Sequence, residues 1–170
     1  ASTSVVGTVG VVGAAIPFLS ALKPSAKAQA AGAPTKVDIS KLEKGEMMLV
    51  EWRGLPIYII RHNTESLKAL KQNISRLLDP DSKEDQQPEY ARNENRSRRE
   101  DIVVLEAVCT HLSCAPKFYP ELGSNEFDDN WQGGFFCPCH GSKFDLAGRV
   151  YSGVPAPTNM SVPPHYYESE

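Results

Sequence analysis

Six side chains in two short stretches could do chemistry together. The first stretch reads Cys109-Thr110-His111-Leu112-Ser113-Cys114, the second Cys137-Pro138-Cys139-His140-Gly141-Ser142-Lys143-Phe144-Asp145. All four cysteines of the chain and two of its four histidines fall here. Each stretch offers a Cys–His pair at ligand spacing, Cys-x-His and then Cys-x-x-His, plus one further cysteine. Thiolate and imidazole are the ligands that zinc, iron and copper prefer. Twenty-five residues separate His111 from Cys137, a span that suits two loops brought together at one end of a β-structure.

Three chemistries fit these residue types. A structural Cys₂His₂ zinc site needs two thiolates and two imidazoles, but zinc-finger spacing keeps the cysteines together and the histidines together. A pair of disulfides uses four cysteines and leaves two histidines in matching positions without a role. A 2Fe–2S centre with two histidines on one iron takes one Cys and one His from each loop, and leaves one cysteine per loop to cross-link them. Only the last gives all six residues work.

The elements that must hold such loops are mostly strands. Thirteen prolines and twelve glycines in 170 residues favour turns and short strands over a helical bundle. Met47 to Trp52 and Pro56 to Arg61 are β-rich runs joined through Arg53-Gly54-Leu55, a hairpin pattern. Leu67, Leu70, Ile74, Leu77 and Leu78 recur at helical spacing, with Asn63 or Thr64 as cap and Pro80 as stop. Residues 79–101, dense in charge and amides, read as a solvated surface loop. Ile102 to Val108 is an apolar strand that runs straight into Cys109.

Upstream, Ala1 to Leu22 carry no charge; as a helix this run is roughly 33 Å long, the thickness of a bilayer core. Gly7, Gly10 and Gly13 suit close packing against other membrane helices. The sequence therefore predicts a transmembrane anchor over 1–22, a flexible hinge linker over 23–36 and a globular domain over 37–170. Because the chain opens on Ala1 rather than Met, a further segment is expected upstream. With 18 basic against 21 acidic residues, net charge −3, no nucleic-acid partner is expected. Gly-rich phosphate loops and hydrolase triads are absent.

The pair Cys-Thr-His-Leu-x-Cys and Cys-Pro-Cys-His-Gly-Ser-x-x-Asp resembles the Rieske iron–sulfur subunits of ubiquinol–cytochrome c reductase, in their bacterial form. The likeness extends to the N-terminal anchor and linker and to Pro155-Ala156-Pro157, while residues 62–101 carry no motif. It implies an all-β, Rieske-type antiparallel β-sandwich with a small inserted cluster-binding subdomain at about 108–153. It also implies one 2Fe-2S cluster. Cys109 and Cys137 match the cysteine ligands of the buried iron, His111 and His140 the ligands of the outer iron. Cys114 and Cys139 match the disulfide that clamps the loops, which places the domain on the oxidising, periplasmic side of a bacterial inner membrane. Leu112 matches a leucine exposed near the quinol pocket, and His140 the ligand that hydrogen-bonds the quinol. Ser142 matches a serine that donates to a bridging sulfide.

The function so implied is transfer of one electron, with a coupled proton, from quinol in a cytochrome b pocket to cytochrome c₁ in a respiratory chain. Rieske centres as a class lie at roughly −150 to +300 mV, against about −400 mV for all-cysteine plant-type clusters. Neutral imidazoles withdraw negative charge, and each keeps a second nitrogen able to carry a proton. Three positions depart from the family pattern. Phe144 stands where many members have a tyrosine that donates to a ligand sulfur, so a lower potential is expected. Ser113 stands where glycine is common, and Val154 interrupts the usual Gly-Pro start of the segment Gly153–Pro157, read as a rigid loop covering the cluster.

Alternatives within the same chemistry are the Rieske small subunit of a periplasmic molybdenum oxidoreductase such as arsenite oxidase, a Rieske oxygenase or its ferredoxin, and the plastoquinol counterpart. From a different class, a zinc-stabilised interaction module competes. His62 and His165 are expected at the surface, Trp52 and Trp131 in packing, and Asp128–Asp129 in a solvated turn.

Overall fold

A computed structural model describes residues 2–21, 25 and 32–168, and the chain divides into two units, Ala1–Thr35 and Lys36–Glu170. The first contains helix α1, Ser2–Ala21, which continues through Pro17; the Ser20 hydroxyl donates to the Pro17 carbonyl at 2.8 Å. No helix among the described residues is long and apolar enough to cross a membrane. Freedom from charge does not suffice: glycine, serine and threonine contribute little apolar area to α1. Most of the linker expected over 23–36 lies outside the described residues.

The second unit is built on two three-stranded antiparallel sheets. Strand β1 (Met47–Trp52) pairs with β2 (Leu55–Arg61), from Met47 opposite Ile60 to Trp52 opposite Leu55. Arg53 and Gly54 both take positive φ, 55° and 74°, the twist a two-residue hairpin turn requires. β2 then pairs with β3 (Ile102–Glu106). Strand alternation sends Tyr58, Ile60, Val103 and Leu105 to one face, Ile57, Ile59, Ile102 and Val104 to the other. Both faces are covered, which is why β2 reads as a nearly unbroken apolar run.

Helix α2 (Thr64–Gln72) follows β2. The Asn63 side chain accepts from the Ser66 N–H at 2.8 Å, satisfying one of the free N-terminal donors. Ala69 and Leu70 bury against Leu146 and Ala147. The apolar spacing predicted a helix continuing to Leu78, but α2 stops at Gln72 and a 3₁₀ turn, Ile74–Arg76, follows. Leu77 is taken instead by a bridge to Tyr151, and the Leu78 N–H donates to the Val150 carbonyl. Backbone partners at Val150 and Tyr151 replace there the bonds that another helical turn would make.

The second sheet holds β4 (Lys117–Asn125), β5 (Asp128–Cys137) and β6 (Ser142–Phe144) in that order, all within 108–153. Gly134 lies where β5 crosses Phe144 and Asp145 so closely that a Cβ would collide with their backbone. Trp131 is fully buried and donates its indole N–H to the Tyr119 carbonyl at 2.9 Å. Trp52 is half-buried and packs against the outer core.

Three surface expectations need correction. Residues 79–101 are not simply a solvated loop: Ser82, Gln87, Ala91, Arg96 and Ser97 are buried. The segment is a strap most of whose charged side chains face water while Ser82, Gln87, Ala91, Arg96 and Ser97 face the core. His62 is buried too, directly after β2, where the Asp101 carbonyl accepts its backbone N–H. Asp128 is not a solvated turn residue but opens β5, its carboxylate held by Arg76 at 2.5 Å and Lys143 at 3.0 Å. Burial raises its affinity for a proton, yet those bonds and the Asn130 N–H hold the carboxyl below its ordinary range.

Candidate metal centre

β3 delivers the first loop and the β5–β6 connection delivers the second. In the first, Cys109 N–H donates to the Cys114 carbonyl at 2.8 Å, and Ser113 N–H donates back to Cys109 at 2.9 Å. This closes a tight loop in which Ser113 takes φ 63°, a left-handed conformation that explains why glycine suits the position. In the second, Cys137 pairs with Ser142, and Gly141 N–H donates to the Cys137 carbonyl at 2.9 Å. Cys114 and Cys139 are joined in a disulfide.

Cys109 and Cys137 are free thiols, both buried. Burial pushes the Cys137 thiol up, and the neighbouring Cys109 adds to this; backbone N–H groups of Cys139 and His140 act in the opposite sense. Those N–H groups would stabilise a thiolate bound to metal. The His111 and His140 rings lie edge to face, centroids 4.8 Å apart. His111 Nδ1 is buried without a partner, whereas His140 is exposed. A buried nitrogen left without a proton partner beside two buried thiols is costly unless a ligand completes it. Two sulfurs inside and two imidazoles outside fit a mixed Cys₂His₂ iron–sulfur centre by donor chemistry. The sulfurs of Cys114, Cys137 and Cys139 also lie within 4.8 Å of one another, but two of them are spent on the disulfide.

Leu112 stands out beside His111 at 65% exposure. Ser142 is buried, and its hydroxyl oxygen accepts the Ala156 N–H at 3.0 Å, leaving its own proton to donate. Phe144 is buried in the main core with both free cysteines and offers no polar atom. Val154 tucks against the same core.

Two contributors were not legible beforehand. The Thr110 hydroxyl donates to the Thr158 carbonyl at 2.7 Å, so both loops grip the segment around Pro155–Pro157, one through Thr110 and one through Ser142. Arg96, at φ 50°, reaches under the turn after β6 and donates to the carbonyls of Ala147 (3.2 Å) and Gly148 (3.3 Å), and to Gln87 (2.9 Å). Burial lowers its guanidinium to about 10, so it remains charged. Beside it Asp145 and Arg149 form a fully buried ion pair at 2.7 Å, with Arg149 also donating to Leu70 at the end of α2. Nothing in the charge-rich sequence of 79–101 distinguishes Arg96 from its exposed neighbours.

Comparison with known proteins agrees with this site. The family described as "Rieske [2Fe-2S] domain" matches residues 90–164. A ubiquinol-cytochrome c reductase iron-sulfur subunit of Allochromatium vinosum is 50% identical over 98% of this chain and 81% of its own. One from Blastochloris viridis is 42% identical over 98% and 83%. Among solved structures, a chain of a "Hyperthermophilic respiratory Complex III" superposes with a TM-score of 0.57 at 26% identity, covering 98% of this chain and 93% of that one. With paired Cys–His loops, a disulfide between them and near-full-length identity of this order, the chain belongs to the Rieske iron–sulfur subunits of ubiquinol–cytochrome c reductase.

Proposed function

We propose that the chain is the electron-transfer subunit of a quinol–cytochrome c oxidoreductase, taking an electron from quinol beside cytochrome b and passing it to cytochrome c₁. The observation that carries this is the division of the six residues: buried free thiols at Cys109 and Cys137, facing imidazoles at His111 and His140, and a disulfide binding the loops together. In this reading Cys109 and Cys137 hold one iron and His111 and His140 the other. When bound, the 2Fe-2S cluster supplies a one-electron acceptor made more oxidising by its neutral imidazole ligands. His140, which is exposed, receives the quinol hydroxyl as a hydrogen-bond partner and takes its proton on the ring nitrogen that does not hold iron. Leu112 supplies apolar contact beside it and keeps water from the approach. Ser142 donates its free proton toward sulfur and holds Ala156 over the site.

The test is an electron paramagnetic resonance spectrum of the ascorbate-reduced protein with iron and sulfide analysis. A rhombic signal with average g below that of all-cysteine 2Fe-2S proteins is expected. A silent sample containing zinc would overturn the assignment.

We further propose that α1 anchors the domain to the inner membrane, with Lys36–Glu170 on the periplasmic side, in company with the membrane helices of partner subunits. Its lack of charge and its glycines support this, since small residues let helix backbones approach closely. Its modest apolarity means that partner helices, besides lipid, must retain it. Carbonate washing of membranes should leave the subunit bound when the partner subunits are present and release it when they are deleted; release in both cases would refute the anchor.

A further inference from the structure

The third sulfur of the Cys114, Cys137, Cys139 group has a consequence for the chain before its cluster is bound. Cys137 is a free thiol, and its Sγ lies within 4.8 Å of both sulfurs of the Cys114–Cys139 disulfide. Cys109 faces Cys137 but is not one of this three-sulfur group. Thiol–disulfide exchange needs only a thiolate aligned with a neighbouring disulfide, and no oxidant. Because all three sulfurs belong to one folded unit, the reaction is intramolecular and favoured by proximity.

We infer that the cluster-free chain rearranges its disulfide through Cys137, and that occupation of Cys137 by the cluster is what preserves the native pairing. The Cys137 sulfur, having given up its proton, bonds to Cys114 Sγ. The Cys114–Cys139 bond breaks, and Cys139 leaves as a thiolate that takes up a proton, so atoms and electrons balance. Attack on Cys139 is disfavoured, because a Cys137–Cys139 bond would close a small ring across Pro138 alone, whose φ is fixed by its own ring. A Cys114–Cys137 bond instead still joins the two loops. The product has lost one iron ligand and cannot take up the cluster. Its freed cysteine, Cys139, is exposed, whereas both free thiols of the starting chain are buried. Cluster insertion therefore has to precede disulfide formation, or follow it faster than the exchange.

The protective half of this inference rests on the proposed cluster; the exchange itself does not. The experiment takes the full chain, records its iron and sulfide content, and removes the metal with a chelator in the absence of any reductant. Samples with and without metal are incubated at mildly alkaline pH, alkylated under native conditions, digested and mapped by mass spectrometry. In the cluster-free chain, Cys114–Cys137 peptides should replace Cys114–Cys139 peptides as Cys139 becomes alkylated. The metal-loaded chain should keep Cys114–Cys139. Cys137→Ser should keep it in the absence of metal as well. Persistence of the native pair in the cluster-free chain, while a denatured control scrambles, would overturn the inference. Bridges to Cys109 as abundant as those to Cys137 would also overturn it, since they would report unfolding rather than proximity. A starting protein without iron and sulfide would instead count against the cluster assignment, leaving the exchange result to be read by itself.

Discussion

Ser113 shows how one residue can carry a strain that the rest of the site imposes. Its φ of 63° is required by the reciprocal bonds between Cys109 and the Ser113–Cys114 segment. A Cβ in that region costs about 1–2 kcal/mol, partly offset in glycine by the greater freedom of its unfolded chain. Ser113→Gly should therefore stabilise the domain by about 0.5–1 kcal/mol, read as a raised urea midpoint of the oxidised protein with unchanged redox spectra. Phe144 acts through what it lacks. Buried beside Cys109 and Cys137, it excludes water but donates no hydrogen bond to sulfur. A donor at that position favours the more negative reduced state, so Phe144→Tyr should raise the midpoint potential by about 60 mV, the one-electron equivalent of about 1.4 kcal/mol. A potential unchanged by Phe144→Tyr in a redox titration would show that the new hydroxyl does not reach sulfur.

Among the elements, the strap at 79–101 does the least expected work. It delivers Arg96 beneath the turn that follows β6, and through Ala147 and Gly148 that turn sets the exit of the second loop. The strap also meets the segment after the Pro155–Pro157 run, where Asn159 donates to the Asp79 carbonyl at 3.0 Å and accepts from Val150 N–H at 2.8 Å. The buried Arg96 guanidinium thus ties the strap to this turn through the Ala147 and Gly148 carbonyls, the latter also accepting the Met160 N–H at 2.8 Å. Arg96→Met should cost about 3 kcal/mol, because it strands buried acceptors of Ala147 and Gln87 as well as removing their bonds. Denaturant unfolding measures the loss, and Arg96→Lys should recover part of it by supplying charge without the planar fork. A loss under about 0.5 kcal/mol for Arg96→Met, the range of an ordinary surface substitution, would mean that water satisfies the turn.

For the whole molecule, His62 links the fold to acidity. It sits at the end of β2 with neither ring nitrogen hydrogen-bonded, and burial lowers its pKa to about 4 from an ordinary 6.5, against the pull of Asp145 and Asp101. The unfolded chain therefore binds a proton between these values that the folded chain does not. Stability contributed by neutral His62 is complete above about pH 6.5 and is lost as pH falls toward 4. Between pH 7 and pH 4.5 the native protein should lose about 2 kcal/mol more than a His62→Leu variant, on the basis of about 1.4 kcal/mol per pH unit for one proton. Parallel pH profiles for the two proteins, followed by unfolding midpoint, would remove His62 from this role.

The local chemistry of the chain is carried by order and spacing alone. Two Cys–His loops, the strands beside them and the Asn63 cap follow from short-range rules, in which a residue's type and its neighbours decide the outcome. Ligand spacing is local for the same reason: the backbone within each loop sets which side chains can meet. Pairing between the loops was reachable only through resemblance, since four cysteines allow three connectivities. What tertiary structure decided was the fate of residues whose local pattern is ambiguous. Leu77 and Leu78 continue the apolar period of α2, yet bonds to Val150 and Tyr151 outbid the helix there. His62 and Arg96 look like surface residues by type, but the sheet and strap bury them, because only distant carbonyls and apolar neighbours in the fold determine what covers a side chain. The uncharged N-terminal run is the converse case: its sequence is enough to predict a helix, but apolar area and packing partners, not the mere lack of charge, decide whether that helix can enter a membrane.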